Sequence, residues 1–231
     1  MKKLGILGGM GPESTLMYYK LIVTEFQKQD VNNYFPELTI ETVNMYKMLD
    51  FCNRGDYTNL TDYLLKGIKN LEKAGADFAV LASNTPHVVF DELEKNSSIP
   101  MLSIVTPTYE AVKQIGVRKI LWLGTAFTME QPYFRKQFEE NGICVVTPEK
   151  QERQLIDHII SKELEFGIIN QQSKDKIREI IEQLICEQDI EAVIFGCTEL
   201  PLLFSADDLS ILSFDTMKYH IDGIIRLMLE I

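Results

Sequence analysis

The amino-acid sequence predicts an α/β fold made of parallel sheets. Eight short runs of apolar, β-forming residues alternate along the 231 residues with longer stretches in which apolar residues recur at helical spacing. Strands of nearly continuous hydrophobicity that are separated by helices are typical of parallel sheets with both faces covered. The order of these elements also occurs twice, which indicates two similar lobes.

The first half of the chain contains four predicted strands and four predicted helices. The first apolar run stops at Gly8 and Gly9, and Pro12 and Glu13 give the start of a helix after it. The third run is followed at once by polar residues that begin with Ser83. The predicted strands cover residues 3–7, 38–43, 78–82 and 101–104, and the predicted helices cover residues 13–29, 58–74, 88–95 and 107–115.

The second half follows the same pattern. Its first apolar run stops at Gly124 and leads through a loop into a helix with an acidic start, and its third run stops at Gly196 and Cys197. The predicted strands cover residues 119–123, 144–147, 192–195 and 211–214. The predicted helices cover residues 130–140, 152–166, 173–187 and 215–229.

Three pairs of segments carry the repeat. Residues 3–8 resemble 119–124, residues 77–83 resemble 191–197, and residues 101–103 resemble 211–213, at offsets of 116, 114 and 110 residues. The nearly constant offset predicts two pseudo-symmetric lobes, each with a parallel four-stranded sheet flanked by helices. We place the first lobe at 1–115 and the second at 116–214, and expect residues 215–231 to pack back on the first.

Composition and charge exclude several classes of function. The net charge of −11 argues against a surface for nucleic acids or anionic membranes, although one local pocket could still oppose the overall sign. No apolar run approaches the length of a membrane span. The four cysteines are far apart and form no metal-ligand spacing, which predicts no metal site and a reduced, cytoplasmic protein.

Polar loops at the strand ends are the candidate ligand site. Ligands of open parallel sheets bind at the carboxyl ends of the strands, so the loops at 8–14, 83–87, 124–129 and 197–201 are expected to face one cleft between the lobes. Ser83 and Cys197 hold equivalent places in the two halves. We therefore expect them to approach one small molecule from opposite sides.

Three of these loops also have a purely structural interpretation. The glycine loop either binds an anion at a helix start or is simply a tight turn. Ser83 could cap a helix, and a Ser–His nucleophile with His87 is disfavoured because the Gly-x-Ser-x-Gly pattern is absent. Cys197 could be a buried structural thiol or a reactive one, and Glu199 opposes its ionisation yet could accept its proton.

Taken together, the motifs resemble those of the aspartate/glutamate racemase family. The likeness extends over essentially the whole chain and is specific as a set. Its segments are Gly-Gly-Met-Gly-Pro-Glu-Ser-Thr at 8–15, Ser-Asn-Thr-Pro-His at 83–87, Leu-Gly-Thr at 123–125, Thr-Met-Glu-Gln at 128–131 and Gly-Cys-Thr-Glu-Leu-Pro at 196–201.

The resemblance implies a fold, a reaction and site residues. Family members have two α/β lobes with the active site between them, form homodimers and racemise aspartate or glutamate without a cofactor. One thiol removes the α-proton and a group on the other face delivers one, roles that fall to Cys197 and Ser83. By the same resemblance, Met10, Asn84, Thr85, Thr125 and Thr198 contact the amino-acid substrate.

Two departures from the family pattern leave alternatives open. Ser83 stands where the family usually has a cysteine, and a hydroxyl is a far poorer base than a thiolate. Glu165 and Phe166 stand where some aspartate racemases supply a lysine for the distal carboxylate, and Arg54 is the replacement we expect. The alternatives are a one-thiol decarboxylase or isomerase, and an amino-acid-binding homologue with impaired catalysis.

Overall fold

The protein divides into two compact units. The computed structural model describes residues 1–29, 34–205 and 208–230, and its contacts assign residues 105–219 to one unit and the rest of the described chain to the other. Helix α5 (Val105–Ile115) belongs to the second unit, where Tyr109 packs edge-on against Phe138 with ring centroids 5.6 Å apart. The boundary therefore precedes this helix, whereas the sequence-based division at residue 115 follows it.

The first unit is built on a four-stranded parallel sheet. Its strands are β1 (Leu4–Gly8), β2 (Leu38–Thr42), β3 (Phe78–Leu81) and β4 (Met101–Leu102), in the order β2-β1-β3-β4. Strands β1 and β3 are buried throughout, as expected for strands covered on both faces. The helices of this part are α1 (Pro12–Gln29), α2 (Met45–Arg54), α3 (Tyr57–Lys73) and α4 (Phe90–Asn96).

The second unit repeats this arrangement. Its strands are β5 (Lys119–Leu123), β6 (Cys144–Val146), β7 (Ala192–Phe195) and β8 (Leu212–Asp215), in the order β6-β5-β7-β8 with every pair parallel. With α5, its helices are α6 (Ala126–Glu130), α7 (Pro132–Glu139), α8 (Lys150–Lys162) and α9 (Gln171–Gln188). The predicted α/β class, with a parallel four-stranded sheet in each half, is confirmed.

The helix after β8 joins the two units. Helix α10 (Thr216–Leu229) starts in the second unit, and from residue 220 onward it belongs to the first. There the amide of Lys2 donates to the carbonyl of Met228 over 3.0 Å. Among the described helices, none combines the length with the apolar composition that a bilayer crossing requires.

Two helices of the structure lie where the sequence predicted loops. Helix α2 buries only Met48 and Cys52, so its apolar pattern is short, and its start depends on the Asn44 side chain, which accepts from the amide of Lys47. Helix α6 ends at Glu130, and the next residue, Gln131, has extended backbone angles before Pro132 and so separates α6 from α7.

Candidate active site

Cys197 follows the buried strand β7 of the second unit and is held there by tight packing. The preceding residue, Gly196, donates its amide to the Leu123 carbonyl over 2.6 Å. A Cβ atom at Gly196 would overlap the ring of Trp122, which is fully buried and packs on Phe134 with centroids 4.3 Å apart. The position before Cys197 therefore excludes any side chain, and the thiol is fixed at the carboxyl edge of the sheet.

The Cys197 thiol is hydrogen-bonded to a buried carboxylate. Its Sγ donates to Glu199 Oε2 over 3.0 Å, and the Thr198 hydroxyl donates to the same oxygen over 2.8 Å. All three side chains are buried. Burial, and then the negative charge of Glu199, raise the pKa of the Cys197 thiol well above its ordinary value. The resting side chain is a thiol with a proton acceptor in contact, not a free thiolate.

A further carboxylate acts electrostatically on this thiol, and another carboxylate acts on that one. Glu165 lies in the short 3₁₀ helix Leu164–Phe166 after α8, and its charge contributes to the raised pKa of Cys197. Burial raises the pKa of Glu165 itself, and the charges of Glu199 and Asp157 raise it further, whereas Lys162 opposes the shift. The surroundings of Cys197 in the second unit are therefore negatively charged.

Thr125 stands at the end of β5, the strand beside β7. Its Oγ1 accepts from the Thr128 amide over 3.3 Å and so caps helix α6. The next amide, that of Ala126, donates to Asp157 Oδ1 over 2.8 Å. Thr125, Thr198 and Cys197 thus follow adjacent strands of one sheet, and Thr125 also has a structural role as a cap.

Ser83, Asn84 and Thr85 follow β3 in the first unit and lead into a short 3₁₀ helix, Thr85–Val89. His87 does not face the Ser83 hydroxyl as a catalytic base. Its Nε2 accepts from the Ile104 amide over 3.2 Å, so Nδ1 carries the proton and donates to the Ser83 carbonyl over 2.9 Å. Burial lowers the pKa of His87 to about 4. The neutral ring fixes the backbone of the Ser83 loop.

A second buried histidine adjoins this region and was not predicted. His220 of α10 accepts at Nδ1 from the Tyr18 hydroxyl over 2.7 Å and donates from Nε2 to the Leu102 carbonyl over 3.1 Å. Burial, and then the charge that His87 would carry, lower the pKa of His220 to about 3. In the sequence His220 is simply one polar residue within an apolar helix pattern, which gives no sign of the network.

The glycine loop lies beside the Ser83 loop at the same edge of the first sheet. The Ser14 hydroxyl donates to the Ala82 carbonyl over 2.7 Å, and the Gly9 amide donates to the Thr15 hydroxyl over 2.9 Å. Gly9 has a φ of 78° and Met10 is buried. The loop is predicted to contact an anion through its backbone amides. One of these, the amide of Gly9, is already hydrogen-bonded within the turn.

Arg54 lies at the end of α2, on the surface of the first unit. Its Nη2 forms an ion pair with Asp50 Oδ2 at 2.7 Å, and its side chain is 57% exposed. The guanidinium also lies over the Phe51 ring, 5.6 Å from the centroid. These local contacts account for Arg54 without a substrate, and its role in binding a distal carboxylate stays a prediction.

Comparison with known proteins gives the family. The profile of the Asp/Glu/hydantoin racemase family matches residues 7–223. This chain belongs to that racemase family. A broad specificity amino-acid racemase, RacX of Bacillus subtilis (strain 168), is 27% identical over 205 residues, which cover 85% of each chain.

Solved structures of the racemase family agree with the fold. A proposed Asp/Glu racemase from Yersinia pestis is 35% identical with a TM-score of 0.90, covering 99% of this chain and 100% of the other. An aspartate racemase homologue from Pyrococcus horikoshii OT3 is 38% identical with a TM-score of 0.86, covering 99% of both chains. The resemblance read from the motifs is confirmed at the level of the racemase family.

Proposed function

We propose that this chain racemises a free α-amino acid by proton transfer at the α-carbon. Cys197 is the principal acid and base, and Ser83 is the second proton-transferring group. The observation that carries the proposal is the 3.0 Å hydrogen bond from the buried Cys197 thiol to Glu199, in a chain of the racemase family. A thiol next to a carboxylate can lose and regain a proton within one site.

The proton inventory of this mechanism balances. Glu199 accepts the thiol proton, and the Cys197 thiolate takes the α-hydrogen as a proton, so that the electron pair of the broken C–H bond stays on the α-carbon. The Ser83 hydroxyl then donates its proton to that carbon from the other face. Glu199 returns its proton to solvent and the Ser83 oxygen takes one from solvent, which restores the starting state.

The residues that we expect to contact the substrate are those that the family resemblance implies. We propose that Asn84, Thr85, Thr198 and the backbone amides of the glycine loop hold the α-carboxylate and stabilise the charge that develops on deprotonation, and that Met10 lies against the ligand. The resemblance predicts aspartate first and glutamate second as substrates. The name of the Bacillus subtilis relative, which specifies broad specificity, supports testing all twenty amino acids.

The test is loss of the α-hydrogen signal by proton NMR in deuterium oxide, with chiral chromatography of the products. We expect exchange and inversion with at least one amino acid, and a loss of about a hundredfold or more in Cys197→Ala. Cys186→Ala, which alters an exposed cysteine on α9, is the matched control and is expected to retain full activity. Undiminished exchange in Cys197→Ala would contradict the proposal.

The same samples separate the alternatives. Release of carbon dioxide from malonate-type acids without racemisation would indicate a one-thiol decarboxylase, and tight amino-acid binding without exchange would indicate a binding protein. Assays without added cofactor, repeated with pyridoxal phosphate, test the cofactor-independent reaction that the resemblance implies. Light scattering on the purified chain tests the homodimer that we propose from the same resemblance.

A further inference from the structure

Two peptide carbonyl groups flank the α-carbon of Ser83, and a buried side chain donates a hydrogen bond to each of them. The Ser14 hydroxyl donates to the Ala82 carbonyl over 2.7 Å, and His87 Nδ1 donates to the Ser83 carbonyl over 2.9 Å. The Ser83 hydroxyl itself forms no hydrogen bond with any residue in the ranges that the structure describes. The place of this hydroxyl therefore depends on how its backbone is held.

The end of β4 and the residues after it hold His87 in turn. His87 Nε2 accepts from the Ile104 amide over 3.2 Å, and two residues earlier the Leu102 carbonyl accepts from His220 Nε2 over 3.1 Å. Because an amide N–H only donates and a carbonyl only accepts, His87 carries its proton on Nδ1 and His220 carries its proton on Nε2. The segment 102–104 is therefore hydrogen-bonded to both histidines, which are opposite tautomers.

Helix α1 contacts both ends of this network. The Tyr18 hydroxyl donates to His220 Nδ1 over 2.7 Å, and the two rings meet edge-on with centroids 5.7 Å apart. Ser14 precedes Tyr18 by one helical turn on α1, so both side chains lie on the same face. One helix is thus bonded directly to the carbonyl before Ser83, and through two histidines and the end of β4 to the carbonyl after it.

The side chains of this network are buried, which fixes their orientation. Tyr18 and His220 are 0% exposed, and His87 is 3% exposed. A buried polar group that loses its partner is destabilising, so each ring is held in the orientation that keeps its hydrogen bonds. These residues and Ser83 all belong to the first unit, and the network depends on that unit alone.

We infer that His87 and His220 are positioning residues that set the place of the Ser83 hydroxyl. The inference rests on the proposed racemase function, in which Ser83 transfers a proton on one face of the α-carbon. His87 acts through the Ser83 carbonyl, and His220 acts through His87. A change in either histidine should therefore slow proton transfer at Ser83 and leave proton transfer at Cys197 as it is.

Two variants of His220 separate its two hydrogen bonds. The amide group of asparagine lies at the level of Nδ1 of histidine and that of glutamine at the level of Nε2, so only His220→Gln can still donate to the Leu102 carbonyl. A shift of about 1 Å in a reacting group can lower a rate about a hundredfold. We expect His220→Asn to slow exchange of the enantiomer whose α-hydrogen faces Ser83 about tenfold or more, and His220→Gln to recover most of that rate.

The measurement is α-hydrogen exchange of each pure enantiomer in deuterium oxide, with L- and D-aspartate or the pair that the screen of twenty amino acids selects. Ser83→Ala shows which enantiomer faces Cys197, because only the exchange of that enantiomer persists. In His220→Asn its rate should stay within about twofold of the wild type. A merely structural role would lower both rates equally, so the ratio of the Ser83-facing rate to the Cys197-facing rate is decisive.

Two control variants match these changes. His158→Asn makes the same substitution at an exposed position on α8. Asp77→Ala removes the acceptor of a hydrogen bond from the Lys3 amide just before β3, the strand whose other end leads to Ser83. Both variants should keep the wild-type ratio of exchange rates.

A second measurement does not depend on activity. Nitrogen-15 NMR of histidine-labelled protein distinguishes the two neutral tautomers, and we expect the proton of His87 on Nδ1 and that of His220 on Nε2. Tyr18→Phe removes only the donor to His220 Nδ1, and it should move the nitrogen signals of both histidines because the rings are coupled. The reverse tautomers, or a change confined to His220, would contradict the inference.

The outcomes separate this inference from the proposed function. An equal reduction of both exchange rates in His220→Asn, or no reduction, would overturn the inference while the racemase function stands. Absence of exchange with every amino acid in the wild type would overturn the proposed function and the inference with it. If circular dichroism shows that His220→Asn does not fold, Tyr18→Phe decides: a ratio lowered about threefold supports the inference, and an unchanged ratio overturns it.

Discussion

The thiol of Cys197 donates a 3.0 Å hydrogen bond to the carboxylate of Glu199, two residues further along the chain. Both side chains are buried, and the charge of the acceptor disfavours the thiolate. The proton of this pair therefore rests on sulfur. In the racemase mechanism that we propose, Glu199 accepts this proton before Cys197 takes the α-hydrogen.

The first prediction concerns Glu199→Gln. Removing the negative charge takes away a cause of the raised pKa, so the thiol should ionise at lower pH than in the wild type. Alkylation of Cys197 by iodoacetamide, followed by peptide mass spectrometry across pH 6–10, should therefore shift to lower pH. Substrate exchange should nevertheless fall by about tenfold or more, because the proton acceptor is lost.

The control for this variant is Glu182→Gln on the exposed surface of α9. It should leave both the alkylation profile and the exchange rate unchanged. An alkylation profile of Glu199→Gln that coincides with that of the wild type would show that Glu199 does not set the state of the thiol.

The second prediction is that the two enantiomers of one substrate behave unequally. The enantiomer whose α-hydrogen faces Cys197 should exchange with solvent deuterium faster than it inverts, because a hydroxyl is a poorer acid and base than a thiol. Ser83→Cys should raise the turnover of the other enantiomer. Proton NMR of each pure enantiomer measures both rates.

Ser98→Cys, an equivalent substitution in the loop after α4, is the control for added thiols and should change neither rate. Equal exchange rates for the two enantiomers of the wild type would rule out the unequal roles of Cys197 and Ser83.

The third prediction is a loss of stability in mild acid caused by the buried histidines. Burial lowers the pKa of His87 to about 4 and that of His220 to about 3, whereas in the unfolded chain a histidine has a pKa of about 6.5. The unfolded state therefore binds more protons between these values. The free energy of unfolding should fall as the pH drops from about 6.5 to about 4.

Urea unfolding at pH 7.5 and pH 5 measures this effect. His87→Gln should lose less stability between the two pH values than the wild type, because one of the two titrating groups is gone. His158→Gln, at an exposed position on α8, should lose as much as the wild type. Equal losses for His87→Gln and the wild type would contradict the assignment.

The fourth prediction concerns Gly196→Ala. The added Cβ would overlap the fully buried Trp122 ring, so the substitution should lower the free energy of unfolding by about 1–3 kcal/mol. Combining it with Trp122→Leu, which removes the overlapping ring atoms, should cost less than the sum of the two single substitutions. Urea unfolding of the four proteins gives the coupling, and strict additivity would refute the overlap.

Much of the fold could be predicted because the deciding signals are local. Apolar runs bounded by glycine indicate buried strands, and the positions of Ser83 and Cys197 after β3 and β7 followed from the repeat of those runs. Helix α2 was missed because only Met48 and Cys52 mark its buried face. Two buried positions are too few to distinguish the apolar pattern of a helix from that of a loop.

The electrostatics of the site could not be predicted in the same way. Asp157, Glu165 and Glu199 are separated by up to 42 residues, and only the fold brings their charges to bear on one another. The ring orientation of His87 likewise depends on the Ile104 amide, which lies on a different segment of the chain. A sequence gives the chemical groups, but the hydrogen-bond partner decides which nitrogen carries the proton.

The division of the chain has a consequence for biosynthesis. The unit formed by residues 105–219 is continuous and can fold as soon as it leaves the ribosome, whereas the other unit is interrupted and waits for α10. Until His220 is translated, the Tyr18 hydroxyl and the Leu102 carbonyl lack this partner, and Lys2 lacks the carbonyl of Met228. The part of the chain made first is thus completed last, and a released chain truncated after residue 219 should be protease-resistant in the second unit while residues 1–104 are cleaved.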